Sequence, residues 1–239
     1  MIPTPHGDIT ILHEDNHLLF IRKPVGLPVQ ADDSGDADLQ NALKTYIKER
    51  DNKPGKVYLA IVHRLDRPVG GVMVLAKTSK AASRLSDQFR RNVVAKYYLA
   101  VLQKPPEKEA GTLRHHLIKK RKTNTVSVVS AKHEGAQLAT LSYNIPARHD
   151  GRALAAIRLE TGRPHQIRVQ FAHIGCPLWG DHKYGGSAKG NPALFSAALW
   201  LTHPTTRQEL YITDQPPDEH PWNEFTLPDI DIRDVNFEF

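Results

Sequence analysis

The sequence predicts an α+β fold, a mixed, largely antiparallel sheet with helices flanking it. Two observations carry this expectation. Many short β-type apolar runs are split by Gly, Pro, Asn and Asp turn residues, whereas few stretches show helical spacing. Residues 57–62 and 72–76, both apolar, flank the short segment His63-Arg64-Leu65-Asp66-Arg67-Pro68-Val69-Gly70-Gly71, which reads as strand, tight loop, strand.

Each element follows from local pattern. Residues 9–30 join a short apolar run to Lys23-Pro24 and Gly26-Leu27-Pro28; proline breaks a helix, so one strand entering a loop is expected. Residues 32–36 are polar and read as a surface loop. Leu39, Ala42, Leu43, Tyr46 and Ile47 have helical spacing, with Asp38 placed to cap the start. Residues 51–55 form a turn. Residues 77–80 end the strand after the central loop, and a helix follows through Ala81, Leu85 and Phe89, with Arg84, Arg90 and Arg91 on its other face. Residues 93–102 read as a strand. Residues 112–130 read as a hairpin or excursion with a basic tip, Lys119-Lys120-Arg121-Lys122. Residues 138–143 and 152–161 are two further strands, divided by His149-Asp150-Gly151. Residues 166–174 have apolar spacing that suits a helix, with Pro164 near its start. Residues 192–201 fit either a helix or a strand by period. From Pro216 the chain is proline-rich and irregular, with Trp222, Phe225, Phe237 and Phe239 available to wrap the domain. One domain, 1–239, is expected, with 213–239 its acidic tail.

Composition narrows the class. Hydrophobic residues make up 40% of the 239, enough for a sizeable core. No run of about 18 apolar residues exists, so no membrane span is expected. Residues 1–8 lack the basic flank and apolar core of a secretory signal. The single cysteine, Cys176, excludes an internal disulfide and fits a reducing compartment, so the cytoplasm is expected. Residues 213–239 carry eight acids and one base, a net −7; the overall +6 therefore leaves +13 on residues 1–212. A body that basic suits a polyanionic partner such as nucleic acid, although a solvated basic surface is the bland alternative.

Two polar clusters stand out, His63-Arg64-Leu65-Asp66 before its Gly-containing turn and Gly162-Arg163-Pro164-His165-Gln166-Ile167-Arg168. With them come residues 11–29, Lys96-Tyr97-Tyr98-Leu99-Ala100, the 172–181 stretch ending Trp179-Gly180-Asp181, Tyr184-Gly185 and His203-Pro204. In this order, from about residue 9 to 210, these blocks resemble the RluA family of RNA pseudouridine synthases. Several motifs in order are far more specific than one. The chain looks like a short form, because the catalytic-type blocks begin too early to leave room for a separate N-terminal RNA-binding module.

The resemblance implies the pseudouridine synthase catalytic fold, RNA as substrate (transfer or ribosomal), a monomer, and chemistry without cofactor or metal. The reaction breaks the bond between uracil N1 and ribose C1′, turns the base, and bonds C5 to the same carbon. By resemblance Asp66 is the carboxylate beside that bond, acting as nucleophile or as base. Arg168 is the guanidinium that keeps it ionised, and Tyr98 is the ring that stacks on the flipped uracil and serves the later proton transfer. Leu194 floors the pocket. Arg64 fills the space the base vacates or binds phosphate. Arg163 contacts phosphate, and His165 and Gln166 are either RNA contacts or satisfied core groups. Lys119, Lys120, Arg121 and Lys122 are candidate phosphate contacts. Tyr97, next to Tyr98, is expected on the opposite face of its strand.

Three positions depart from the family pattern. Val69-Gly70-Gly71 stands where many members have Thr-Ser-Gly, which bears on loop rigidity; Pro164 replaces a common Thr; Phe195-Ser196 replaces a common His-Ala. Two rival classes fit parts of the pattern. A catalytically inactive RNA-binding protein of the same fold is opposed by the intact Asp66, Tyr98 and Arg168. A metal-dependent hydrolase is opposed by the scatter of the thirteen histidines and the lack of carboxylates beside them.

Overall fold

The computed structural model describes residues 1–31, 35–120 and 122–227. Its strands and helices, in chain order, are β1 (Thr10–Glu14), β2 (Leu18–Lys23), α1 (Leu39–Arg50), β3 (Ala60–Ile61), β4 (Gly70–Ala76), α2 (Ser79–Arg90), β5 (Ala95–Leu102), β6 (Ala110–Lys120), β7 (Thr125–Val129), β8 (Gln137–His149), β9 (Arg152–Leu159), α3 (Gln166–His173), β10 (Leu194–Thr202) and β11 (Glu209–Thr213). Short 3-10 turns occupy His182–Tyr184 and Trp222–Glu224. The fold is α+β with largely antiparallel pairing, as the sequence predicts. The described chain divides into two compact units, residues 1–94 with 198–214, and residues 95–197 with the segment from 215.

In the first unit β2 pairs antiparallel with β1 and β4, β3 lies on β4, and the second half of β10 pairs with β11. Every residue of β4 is buried, as befits a strand covered on both faces. One face presents Leu18, Phe20, Val72, Val74, Ala76, Leu199 and Leu201 to Ala81 and Leu85 of α2. Thr78 caps α2 by accepting from the Ala81 N–H, and Asp38 caps α1 by accepting from the Asn41 N–H. Two elements correct the sequence reading. Residues 9–30 hold two strands rather than one, because Asp15 Oδ1 accepts from the N–H groups of His17 and Leu18 and turns the chain at 2.6 and 2.7 Å. Residues 209–213 form a strand that the sequence reading did not assign.

In the second unit the antiparallel order runs β5-β9-β8-β6-β7, with the first half of β10 against β5. The alternation of each strand sorts the side chains onto two faces. Leu99, Val101, Leu154, Phe195 and Ala197 point to one face, where Trp222 and Phe225 of the late chain close the core. The opposite face carries Tyr98, Ile157 and Tyr143, with Ile157 in register with Tyr98 on one side and with Tyr143 on the other. Helix α3 packs there: Phe171 meets Tyr143 edge-on at 5.3 Å, and Gln170 donates to the carbonyls of Leu113 and Ala139. Strand β8 runs on past residue 143, where the sequence reading ended it, because a register shift between Asn144 and Ala147 accommodates Pro146. Residues 192–201, open between helix and strand by period, belong to a strand fixed by its neighbours. Phe237, Phe239, Arg121 and the acids at 229, 231, 234 and 238 lie outside the described residues.

Candidate active site

The 63–71 loop of the first unit is anchored at several points. Its turn closes through the Val69 N–H on the Asp66 carbonyl at 2.9 Å, and Val69 is buried. The Arg67 carbonyl accepts from the Gly26 N–H at 2.9 Å, and the Arg67 Nε donates to the Gly26 carbonyl at 2.9 Å. Arg67 also pairs with Asp36. Gly71 has φ +114, which an L side chain rarely adopts, so glycine is required where β4 begins. Leu65 points into the protein, Arg64 is exposed, and Asp66 is half-buried. His63 accepts the Val74 N–H through Nε2 at 3.1 Å and stacks on Phe89 with ring centres 4.5 Å apart.

Below this loop sits Lys23, a residue to which the sequence reading gave no role. Its side chain is fully buried, and its ammonium donates to the carbonyls of Leu27 (2.7 Å), Pro24 (2.9 Å) and Arg67 (3.0 Å). Three donors meet three acceptors, two on the 24–27 turn and one on Arg67, the residue after Asp66. Burial pushes the Lys23 pKa down to about 7, opposed by the negative charge of Asp66. Lys23-Pro24-x-Gly26 is the only sequence signal for this arrangement. Proline and glycine mark the turn whose carbonyls converge, but nothing local says on what.

In the second unit Tyr98 lies on β5 with its side chain on the face that carries α3, and Tyr97 takes the opposite face, as alternation requires. Leu194 shares the face of Tyr98, since its neighbour Phe195 belongs to the core on the other side. Arg168 on α3 is buried and holds Asp181 in a two-pronged pair. Its Nε reaches Oδ2 and its Nη2 reaches Oδ1, each at 2.7 Å, and Asp181 is 1% exposed. The guanidinium also lies 5.1 Å from the ring centre of Tyr184. Gly180, at φ +73, lets the chain pass against the Asn191 carbonyl and places Asp181. The sequence reading quoted Asp181 and Tyr184 within a motif without giving either a task.

The Gly162-to-Arg168 segment is knit together by Gln166, which is 3% exposed. Its Oε1 accepts from Thr161 Oγ1 and from the Arg163 N–H at 2.8 and 3.0 Å, and its Nε2 donates to the Thr140 carbonyl at 3.0 Å. The Gln166 amide is thus spent within the chain, the second of the two options the sequence left open. Arg163 is half-exposed and donates through Nε to the Leu138 carbonyl at 3.0 Å. His165 adopts a left-handed φ of 50°, and its Nδ1 lies 2.6 Å from the Tyr184 hydroxyl. That hydroxyl also accepts the Val126 N–H on β7 at 2.9 Å. Lys119 and Lys120 end β6 and Lys122 follows in the turn, all exposed, while Arg121 lies outside the described residues. No three His, Cys, Asp or Glu side chains stand together as metal ligands among the described residues, and no described helix is long and apolar enough to cross a membrane.

Comparison with known proteins places this arrangement. A family model described as RNA pseudouridylate synthase matches residues 17–173. An uncharacterised RNA pseudouridine synthase of Bacillus subtilis is 33% identical over 215 residues, covering 88% of this chain and 69% of that protein. Ribosomal large subunit pseudouridine synthase D of Pseudomonas aeruginosa is 34% identical over 209 residues, covering 85% of this chain and 62% of that protein, so the chain spans less than two thirds of that relative. Among solved structures, human RNA pseudouridylate synthase domain containing 4 superposes with a TM-score of 0.74 at 26% identity, covering 87% of this chain and 88% of that one. Human RNA pseudouridylate synthase domain containing 1 shares the fold, with a TM-score of 0.72 at 20% identity. The matched segment contains the anchored 63–71 loop, the Tyr98 strand and the whole of α3, and the chain belongs to the RNA pseudouridylate synthases, the isomerases that convert uridine in RNA to pseudouridine.

Proposed function

We propose that this chain isomerises uridines of large-subunit ribosomal RNA, working as a monomer in the cytoplasm, with Asp66 as the reacting carboxylate. The observation that carries the assignment is the anchoring of the 63–71 loop. Lys23 and the Gly26–Arg67 pair fix the backbone at the residue that follows Asp66, and the Val69 N–H closes the turn on the Asp66 carbonyl, while the Asp66 side chain stays half-buried. A carboxylate held this way meets the demand for a reacting group of fixed position. It either attacks C1′ as the N1–C1′ bond breaks and leaves again when C5 bonds there, or takes the C2′ proton as that bond breaks and returns it when C5 bonds to C1′. The C5–C1′ bond restores the glycosidic link, C5 gives up its proton and N1 gains one, so atoms balance without a co-reactant.

Tyr98 and Arg168 complete the proposed catalytic set. The Tyr98 ring stacks on the flipped base and its hydroxyl handles the C5 proton; Arg168 presents a guanidinium that Asp181 and Tyr184 hold in one orientation. Leu194 supplies an apolar wall. Arg64, exposed beside Asp66, reaches the RNA, as do Arg163 and the lysines of the β6–β7 hairpin. The chain is read as one catalytic domain. Names of relatives favour ribosomal over transfer RNA as the target.

The test is tritium release from 5-tritiated uridine in unmodified transcripts of large-subunit ribosomal RNA and of transfer RNA. The wild-type chain is expected to release tritium from the ribosomal transcript, and Asp66→Asn to release none while still binding it. Activity on transfer RNA alone overturns the target, and activity of the Asn variant above a few per cent of wild type, on the order of 2 kcal/mol in barrier, overturns the role of Asp66.

A further inference from the structure

Lys96 is the second buried lysine of the protein, and the chemistry above does not use it. It is 7% exposed, on β5, two residues before Tyr98 and therefore on the same sheet face. Its register partner on β9 is Leu159, an apolar side chain. Among the described residues Lys96 makes no hydrogen bond and no ion pair; burial alone acts on its ionisation and pushes its pKa down. Its Nζ lies 3.5 Å from the point where a Cβ on Gly162 would stand. The lack of a side chain at Gly162 keeps that approach open, and Gly162 itself is exposed.

The contrast with Lys23 is informative. Lys23 is fully buried, and its three protons meet three carbonyls. Lys96 has the burial without the acceptors. The side chain is buried while its ammonium keeps an opening to solvent, so a partner entering from solvent would offset the cost of removing the charge from bulk water. Replacement by an apolar residue of similar length would suit the surrounding Leu159 and Tyr98. A full negative charge offsets the desolvation of an ammonium far better than a neutral carbonyl does.

We infer that Lys96 binds a phosphate of the RNA strand at the Gly162 face of the second unit, as a substrate-positioning residue next to Tyr98. This rests on the reading that the substrate is RNA. The contact would fix the backbone of the target nucleotide while its base turns, so it acts on affinity and on turnover together. Arg163, one residue from Gly162 and half-exposed, has nitrogens left to share the same phosphate beyond the Nε given to Leu138.

The test compares wild type with Lys96→Met and Lys96→Arg. Fluorescence anisotropy with a labelled polyuridylate strand, over a series of salt concentrations, reports the number of phosphate contacts. Lys96→Met is expected to weaken binding and to lower the salt slope by about 0.7, the value of one contact on a single strand. Lys96→Arg is expected to restore the slope. Thermal unfolding separates a structural role: Lys96→Met should melt at or above the wild-type temperature, because it removes an unpaired buried charge. A parental salt slope for Lys96→Met overturns the proposal, and so does a lowered melting temperature with unchanged affinity. Tritium release by the wild-type chain from ribosomal transcripts tests the enzymatic reading separately, so failure of one is told apart from failure of the other.

Discussion

The Arg168–Asp181 pair gives the sharpest test of how the second unit holds its chemistry. Both side chains are buried, 5% and 1% exposed, and two hydrogen bonds of 2.7 Å join them. Asp181→Asn keeps the shape and removes the charge. A buried guanidinium then loses the carboxylate that compensates its desolvation, a change that costs about 3–5 kcal/mol. For a chain of this size about 1 kcal/mol moves the melting temperature by roughly 2–4 °C, so a drop of about 6–20 °C is expected. Replacing both partners with apolar residues, Arg168→Met with Asp181→Leu, removes the stranded charge and should recover most of that stability. A double-mutant cycle by urea unfolding should give a coupling above about 2 kcal/mol. In tritium release, Asp181→Asn should lower kcat more than it raises KM, since it loosens the orientation of Arg168 without touching RNA. A single-variant cost below about 1 kcal/mol, or a coupling near zero, would refute the reasoning.

Three further outcomes follow from the same geometry. Lys23 has a folded pKa near 7, below the ordinary 10.5, so between those values the unfolded chain holds a proton that the folded chain has released; stability should rise with pH across that window and level off below it, on the order of 5 kcal/mol in all. Urea unfolding along the pH series should show this slope in wild type and lose it in Lys23→Met. Tyr184→Phe leaves the Val126 N–H without its acceptor, so stability should fall by about 1–3 kcal/mol and amide exchange at Val126 should accelerate; unchanged exchange would sink the assignment. Neutralising Lys119, Lys120 and Lys122 together should flatten the salt dependence of RNA binding by up to about 2–3 in slope, and an unchanged slope would leave the hairpin a solvated loop.

Much of this protein is legible locally. Capping residues at Asp38 and Thr78 start α1 and α2 because their short oxygens satisfy N–H groups three residues on, a relation written within four residues of sequence. Alternation places Tyr97 and Tyr98 on opposite faces of β5, and the His149-Asp150-Gly151 break sets β8 against β9. The family match rests on motifs of the same local kind.

What the sequence leaves open is which distant groups meet. Residues 192–201 fit helix or strand by composition, and only pairing with β11 and its other neighbours makes β10 a strand. The 9–30 segment hides a hairpin because one Asp15 side chain, invisible to periodicity, turns the chain. The sequence alone therefore determines that a carboxylate, a tyrosine and an arginine of the right family pattern are present in an α+β chain. Tertiary structure decides what holds them: three carbonyls from two segments around Lys23, and a carboxylate thirteen residues away on Arg168. The Tyr184 hydroxyl, fifty-eight residues from the Val126 amide it accepts, belongs to the same group. The physical reason is that a polar group's cost of burial is settled by its partners, and partners are chosen by the path of the whole chain rather than by the residues beside it.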